Sequence, residues 1–334
     1  MEEDKHVDNT HDLNFESRIN LGPLKQAVEQ ARKEISKVIV GQDNMIDQLL
    51  VAILANGHVL IEGAPGVAKT ITAKLLSKTL SLKFSRIQFT PDLMPSDIIG
   101  TSVFDVSKSA FEFKKGPVFA NFVLIDEINR APAKTQAALF EVMEERQITA
   151  DGTTYEMELP FLVIATQNPI EQEGTYRLPE AQLDRFLFKI NVGYPSLAEE
   201  IQIIVKENDF ESTNKLEGIE MVIQQQELIQ YQQLVKKIKV ESHLFEYIAK
   251  LVTQTREHQF LYLGGSPRAS IALLNASKGF AAIRGRDFVT PDDIKDAAIP
   301  VLQHRIMVMP EREMEGLTSD QVIHQIIDSV EIPR

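Results

Sequence analysis

A lysine and a threonine stand at the start of a predicted helix, directly after a glycine-bearing loop. The stretch is Gly63-Ala64-Pro65-Gly66-Val67-Ala68-Lys69-Thr70, with an apolar run before it and a helical pattern after it. Small residues let backbone N–H groups approach a phosphate closely, and the N-terminus of a helix adds a favourable dipole. The Lys69 ammonium can lie between β- and γ-phosphates, while the Thr70 hydroxyl can bind Mg²⁺. The stretch therefore predicts a phosphate-binding loop.

One position departs from the usual form of this loop, because Ala68 stands where a glycine is common. A Cβ atom is poorly tolerated where φ is positive. We therefore expect a negative φ at Ala68.

A pair of carboxylates, Asp126 and Glu127, ends a second apolar run further along the chain. Asp126 at the end of a strand is suited to hold the water shell of Mg²⁺, and Glu127 to orient and polarise an attacking water. An Asp-Glu pair could also simply mark a strand end at the surface. The occurrence of both motifs in this order favours a site that binds and hydrolyses a nucleoside triphosphate.

Two polar residues further on are candidates for the same site. Asn168 follows a buried apolar run, and its amide could bind a γ-phosphate or the attacking water, or it could only cap the strand in an Asx-turn. Arg185 lies between a short helix and a strand, where it could reach a γ-phosphate bound by a neighbouring subunit. A surface ion pair is the alternative for Arg185, and the nearby Arg177 could share its role.

Arg268 is a third candidate, in the first turn of a predicted helix behind Ser266 and Pro267. A cation at this end opposes the helix dipole, whereas free N–H groups together with an arginine suit an anion. A phosphate-sensing role fits, and an ion pair with a nearby carboxylate is the alternative.

The elements that must position these residues alternate between strands and helices from residue 40 to about residue 194. This pattern predicts an α/β fold with a parallel sheet, with strands near residues 59–61, 86–88, 122–125, 161–165 and 186–192. A β-hairpin with an Asp151-Gly152 turn is predicted within this block. After Pro195 the signals are almost all helical, with N-caps predicted at Ser242, Ser266 and Thr290. We therefore predict a polar tail (1–18), a nucleotide-binding domain (19–194) and a helical domain (195–334).

Composition narrows the class of protein. The chain has 334 residues, no cysteine and a net charge of −13. The absence of cysteine excludes disulfides and thiol catalysis. The acidic balance makes nucleic acid an unlikely partner. We expect no membrane insertion and a cytoplasmic location, because neither a leader-like segment nor a long apolar run is present.

These residues together resemble the AAA+ superfamily of P-loop ATPases, and within it the MoxR family, over residues 40–306. The resemblance is carried by the phosphate-binding loop and by five other stretches, namely Val40-Gly41-Gln42, residues 124–131, residues 165–169, residues 178–186 and residues 264–269. It implies Walker A for Lys69 and Thr70, Walker B for Asp126 and Glu127, sensor 1 for Asn168, the arginine finger for Arg185, sensor 2 for Arg268, and an adenine contact for Val40 and Gly41.

The resemblance also implies an αβα sandwich followed by a smaller all-α lid, with ATP and Mg²⁺ bound between the subunits of a hexameric ring. It implies a chaperone-like ATPase that remodels or matures partner complexes, often containing von Willebrand factor A domains. Two insertions, residues 89–113 and the Asp151-Gly152 hairpin, resemble the branch that includes magnesium chelatase ATPase subunits. We expect both to face the pore or the partner.

Two other functions stay open at this point. One is a DNA-translocating motor, against which the acidic charge argues. The other is a nucleotide-controlled scaffold with little turnover, against which Glu127 and Asn168 argue. Salt-dependent DNA binding and the basal ATPase rate would separate the three.

Overall fold

A computed structural model of the chain describes residues 19–168, 176, 178–209 and 216–332. The predicted tail lies outside these residues. Short strands alternate with helices up to residue 192, and helices dominate after it. The strands are β1 (His58–Gly63), β2 (Phe84–Gln88), β3 (Gly100–Asp105), β4 (Ala110–Lys115), β5 (Phe122–Asp126), β6 (Gln147–Ala150), β7 (Thr153–Glu156), β8 (Leu162–Gln167), β9 (Phe186–Val192), β10 (Leu261–Leu263) and β11 (Met307–Val308).

The helices of the described residues flank the sheet in the first part of the chain and dominate the part after β9. They are α1 (Gly22–Ser36), α2 (Asp43–Leu54), α3 (Lys69–Thr79), α4 (Pro95–Ile99), α5 (Ala133–Glu145), α6 (Glu180–Leu183), α7 (Leu197–Asp209), α8 (Gln225–Lys236), α9 (Ser242–Glu257), α10 (Pro267–Ile283), α11 (Pro291–Leu302), α12 (Pro310–Met314) and α13 (Ser319–Ser329).

The central sheet has the strand order β2-β5-β8-β1-β9, and all its pairs are parallel. Successive side chains of a strand point to opposite faces, so a strand covered on both sides reads as a continuous apolar run. β5 shows this directly. Phe122 and Leu124 pack into a core that includes α2 and α3, whereas Val123 and Ile125 pack into a second core that includes α5. The predicted αβα sandwich is confirmed.

The lid beyond the sheet is helical, as predicted, and it also contains a short antiparallel pair, β10 and β11. Its core is continuous with one face of the sheet, where Phe280 of α10 lies 6.3 Å from Phe188 of β9 between ring centroids. Pro195 lies between β9 and α7, and the domain boundary there stays a prediction. Within the described residues, no helix combines the length and the apolar character needed to cross a membrane.

Two of the three predicted N-caps have the expected geometry. The Ser266 side chain accepts a hydrogen bond from the Arg268 backbone N–H, and Thr290 forms a capping box with Asp293. The prediction at Ser242 is wrong, because Glu241 is the N-cap and Ser242 is already helical. Glu241 has the extended backbone that precedes a helix, at φ −75° and ψ 152°.

The two insertions form β-hairpins that contact each other. The predicted Asp151-Gly152 turn joins β6 and β7, with φ of 50° and 76° at its two residues, as a two-residue hairpin turn requires. The insertion near residues 89–113 contains α4 and the β3–β4 hairpin. Phe113 of this hairpin stacks on Tyr155 of the other at 4.7 Å between ring centroids. The hairpins therefore form one unit, although the sequence predicted only the first.

Candidate functional site

The phosphate-binding loop joins the end of β1 to the start of α3, as the sequence predicted. β1 ends at Gly63 and α3 begins at Lys69. The Lys69 ammonium donates to the Gly63 carbonyl at 2.6 Å and lies 3.5 Å from the Gln167 carbonyl at the end of β8. The lysine therefore lies at the carboxyl edge of the parallel sheet, where ligands bind in open α/β folds.

The expectation for Ala68 is wrong, since its φ is +64° and its backbone is left-handed. Gly66 also has a positive φ, of 86°. Alternation of right- and left-handed residues turns successive N–H groups toward one point and creates an anion-binding concavity. The loop geometry thus requires a left-handed residue at Ala68, although a Cβ atom makes that conformation costlier than it would be for glycine.

Asp126 and Thr70 meet at the carboxyl edge of the sheet. The Thr70 hydroxyl donates to Asp126 Oδ1 at 3.4 Å, and the same oxygen accepts from the Thr166 hydroxyl at 3.2 Å. Oδ2 of Asp126 accepts from Arg86 Nε at 2.6 Å. A hydroxyl and a carboxylate are hard oxygen donors, which is the pair that Mg²⁺ takes while keeping most of its waters. Thr70 and Asp126 fit the predicted Mg²⁺ site.

Glu127 lies one residue further, where the chain leaves β5. Its backbone is left-handed, at φ 58°, and its N–H donates to the Thr166 hydroxyl at 3.1 Å. Its carboxylate accepts from Gln88 at 2.8 Å and pairs with Arg130 Nε at 3.2 Å. The left-handed turn thus directs the Glu127 side chain away from the path of the strand, toward polar partners at the sheet edge.

A cavity of about 410 Å³ brings most of the predicted nucleotide-site residues together. From the predicted set it is lined by Pro65, Gly66, Ala68, Lys69, Thr70, Asp126, Glu127 and Asn168. Ala64 and Val67 are buried and belong to the core. Their contribution to a phosphate site, like that of Gly63, would come from the backbone.

Four polar residues near this cavity were missed by the sequence reasoning. They are Arg86 and Gln88 on β2, Thr166 on β8 and Arg130 beyond β5. Arg86 and Gln88 lie two residues apart on the same face of β2. They are near the Walker B carboxylates because β2 is the neighbour of β5. The sequence does show polar residues in β2. Their relevance to the site becomes clear only when β2 is known to lie beside the apolar strand β5, which requires the strand order.

The predicted adenine contacts lie where the chain approaches α7. Gly41 has a φ of +64°, and a Cβ atom there would lie 2.2 Å from Oε1 of Glu199 in the first turns of α7. The neighbouring Gln42 donates to the Gly193 carbonyl at 3.3 Å. The left-handed backbone at Gly41 favours glycine, and the residue lies close to the Glu199 side chain of α7. The adenine role of Val40 and Gly41 stays a prediction.

The two predicted arginines lie together, but away from Lys69. Arg185 Nε is 3.6 Å from Glu144 Oε2, and Arg268 Nη2 is 3.3 Å from Glu144 Oε1. Arg185 also donates to the Phe140 carbonyl. Both arginines line a second cavity, of about 300 Å³, which shares no lining residue with the first. The structure therefore does not place Arg268 at the phosphate-binding loop of its own chain. Arg177 lies outside the described residues.

Comparison with known proteins agrees with this arrangement. The family model of ATPases associated with various cellular activities (AAA) matches residues 58–188, and the AAA lid domain model matches residues 253–326. Chaperone MoxR1 of Mycobacterium tuberculosis is 43% identical over 92% of this chain and 82% of its own length. The uncharacterized protein YeaC of Bacillus subtilis is 45% identical over 93% of this chain and 96% of its own length.

Among solved structures, a crystal structure of a protein assigned as an ATPase from Cytophaga hutchinsonii is similar to this fold. It has a TM-score of 0.85 and 42% identity, and the match covers 93% of this chain and 96% of that one. The similarity spans both the sheet and the lid. The chain belongs to the MoxR family of AAA+ ATPases.

Proposed function

We propose that this chain binds ATP with Mg²⁺ at the loop of residues 63–70 and hydrolyses it, with Glu127 orienting and polarising the attacking water. The observation that carries the proposal is the convergence of Lys69, Thr70, Asp126 and Glu127 on one cavity at the carboxyl edge of the sheet. Family membership supports it.

Each residue has a separate task in this proposal. The loop N–H groups and the Lys69 ammonium hold the β- and γ-phosphates, and the Asn168 amide contacts the γ-phosphate or the water. Mg²⁺ at Thr70 and Asp126 would neutralise charge on the phosphate oxygens. Glu127 accepts the proton of the water as it attacks. Gln88 and Arg130 already hold the Glu127 carboxylate by hydrogen bond and ion pair, so its position is defined before substrate binds.

A ring of identical subunits completes the site in this proposal, and six is the number that the family resemblance implies. Arg185 and Arg268 lie at a cavity separate from the phosphate-binding loop. An arginine that acts on the γ-phosphate bound by a neighbouring subunit must lie away from the phosphate-binding loop of its own chain. We therefore assign both arginines to the nucleotide of an adjacent subunit.

Hydrolysis would drive remodelling or maturation of partner complexes. A relative named Chaperone MoxR1 supports a chaperone-like role. The net charge of −13 supports a protein partner over nucleic acid. Partners with von Willebrand factor A domains are the class that the family resemblance implies.

Substitution of Lys69 and Glu127 separates binding from hydrolysis. Lys69→Ala should abolish ATP binding, because the main cation for the phosphates is lost. Glu127→Gln should bind ATP normally and lose roughly 10²-fold or more in turnover, because an amide does not accept the proton. Lys74→Ala on the same helix and Glu141→Gln on the exposed face of α5 are matched controls. ATP affinity of Lys69→Ala within about threefold of wild type would reject this loop as the site.

Partner capture tests the remodelling role. A Glu127→Gln ring held in ATP should retain its partner, because the step that releases it is blocked. Lys69→Ala is the matched control, since it should not enter the ATP-bound state. A von Willebrand factor A protein retained on both variants alike, or on neither, would contradict nucleotide-driven action on that class of partner.

A further inference from the structure

Asp184 lies beside Arg185, in the turn between α6 and β9, and its carboxylate is shared by two lid residues. Oδ1 accepts from Arg305 Nε at 2.7 Å, and Oδ2 accepts from the Ser266 hydroxyl at 3.2 Å. The Arg305 side chain is 3% exposed and that of Asp184 is 17% exposed. A buried ion pair of this kind is stable only when its geometry satisfies both partners. The two side chains therefore hold the turn and the lid in one relative position.

Arg305 also binds the backbone on both sides of Arg185. Its guanidinium donates to the carbonyls of Asp184 at 3.1 Å, Phe186 at 2.6 Å and Leu187 at 3.1 Å. The five N–H donors of arginine lie in one rigid plane. One side chain of the lid thus fixes the backbone from residue 184 to residue 187, and with it the origin of the Arg185 side chain.

Ser266 extends the same network to Arg268. Its Oγ donates to Asp184 and accepts from the Arg268 backbone N–H at 3.2 Å, as the N-cap of α10. Asp184 is therefore linked through one hydroxyl to the first turn of the helix that carries Arg268. Both arginines extend from this network to Glu144.

We propose that Asp184 is a positioning residue which, through Arg305 and Ser266, sets Arg185 and Arg268 as one unit for the nucleotide of the neighbouring subunit. The inference rests on the proposed role of the two arginines. Neither Asp184 nor Arg305 lines the cavity at the phosphate-binding loop of their own chain. They act through the placement of the arginines.

The test is the kcat and KM for ATP of the assembled protein carrying Asp184→Asn, with Arg185→Ala as the reference. Misplacement of a group that acts in the transition state lowers kcat, so we expect a loss of about 10-fold to 100-fold, with KM within about twofold of wild type. Ser266→Gly gives a second variant that keeps the buried ion pair, and it should lower kcat in the same direction. Glycine is tolerated at an N-cap, so this variant should fold.

Asp47→Asn is the matched control, because Asp47 accepts from Arg32 Nε at 2.6 Å between α1 and α2, away from both arginines. Its kcat should stay within about twofold of wild type. Wild-type kcat in both Asp184→Asn and Ser266→Gly, with a fall in Arg185→Ala, would overturn the positioning role alone. An equal fall in Asp47→Asn would overturn it too, by showing a general effect of lost ion pairs. Wild-type kcat in Arg185→Ala would overturn the proposed role of the arginines, and the positioning role with it.

Discussion

Thr70 illustrates at the residue scale how a single hydroxyl links two motifs that are far apart in the sequence. Its Oγ1 lies 3.4 Å from Asp126 Oδ1, which connects the loop after β1 with the end of β5. Two hard oxygen donors at this separation suit one Mg²⁺ ion. The hydroxyl is therefore expected to contribute to metal affinity more than to the binding of the phosphates.

Thr70→Ala should raise the Mg²⁺ concentration needed for half-maximal ATPase activity by about tenfold, which corresponds to one lost contact of about 1.4 kcal/mol. Thr70→Ser keeps the hydroxyl and should behave like the wild type. Titration of activity with Mg²⁺ at saturating ATP measures the effect. If Thr70→Ala keeps the wild-type Mg²⁺ requirement, the hydroxyl is not a metal contact.

The sequence predicted which residues line the cavity at the phosphate-binding loop better than it predicted their backbone conformation. Lys69, Thr70, Asp126, Glu127 and Asn168 were found because the chemistry requires those residue types after apolar strands. The left-handed backbone of Ala68 is set by the surrounding loop, so its residue type alone gave the wrong sign of φ. The hydrogen-bond partners of Asp126 and Glu127 on other strands could not be predicted, because their identification requires the strand order, and no local sequence pattern contains it.

At the scale of elements, His58 fixes β1 to its neighbours. Its Nδ1 accepts from the Val163 N–H of β8 at 3.0 Å, and its Nε2 donates to the carbonyl of Met143 in α5 at 3.2 Å. Acceptance at Nδ1 requires the neutral ring, because the protonated ring carries a hydrogen on both nitrogens. Burial, with the nearby Arg146 charge, lowers the pKa of His58 from 6.5 to about 4.

Acid should therefore destabilise the fold through this residue. In the unfolded chain His58 becomes protonated below about pH 6.5, whereas in the folded chain it stays neutral until about pH 4. Stability is thus present above the unfolded pKa and falls as pH drops through this window, by about 3 kcal/mol at most. Urea unfolding across the window measures this.

His58→Gln keeps a donor and an acceptor without the titration, so its stability should fall less steeply with acid. Buried His304, whose pKa is lowered well below its usual value by burial, contributes a similar slope that this variant retains. The exposed His243, as His243→Gln, is the control. An unchanged acid slope in His58→Gln would show that the ring is not held neutral in the folded protein.

The sequence predicted all five sheet strands, and four of them contain a short apolar run between breaks, whereas β2 carries polar residues such as Arg86 and Gln88. β1 and β8 differ from the prediction by one or two residues at both ends, β2 and β5 by one or two residues at one end, and β9 agrees. The β3–β4 hairpin was not predicted, because its apolar residues are largely exposed: Phe104 is 49% and Phe111 is 75% exposed. Because neither face of the hairpin is buried, its sequence does not show the regular alternation of apolar and polar residues that predicts a strand packed on a core. β10 and β11 are too short for a periodic pattern.

At the scale of the whole molecule, the lid and the sheet meet where the two arginines are held. Arg305 and Ser266 come from the lid, and Asp184 and Arg185 from the turn before β9. A change in lid position would therefore alter the contacts that hold both arginines. The phosphate-binding loop and the arginine pair occupy separate cavities of one chain. With the proposed roles of the arginines, each complete ATP site would thus lie between two subunits.

Mixing two inactive variants tests this claim most directly. Glu127→Gln impairs the half of the site with the base, and Arg185→Ala impairs the half that a neighbour supplies. In co-assembled rings, an Arg185→Ala subunit next to a Glu127→Gln subunit gains an intact arginine for its own intact base. A mixture of Glu127→Gln with Lys69→Ala is the control, because both changes lie in the same half and no interface is restored.

The ATPase rate of the mixed rings, with co-assembly verified, is the decisive measurement. We expect activity clearly above the sum of the two separate variants for Glu127→Gln with Arg185→Ala, and only the sum for the control mixture. Activity equal to the sum in both mixtures would contradict a site shared between subunits.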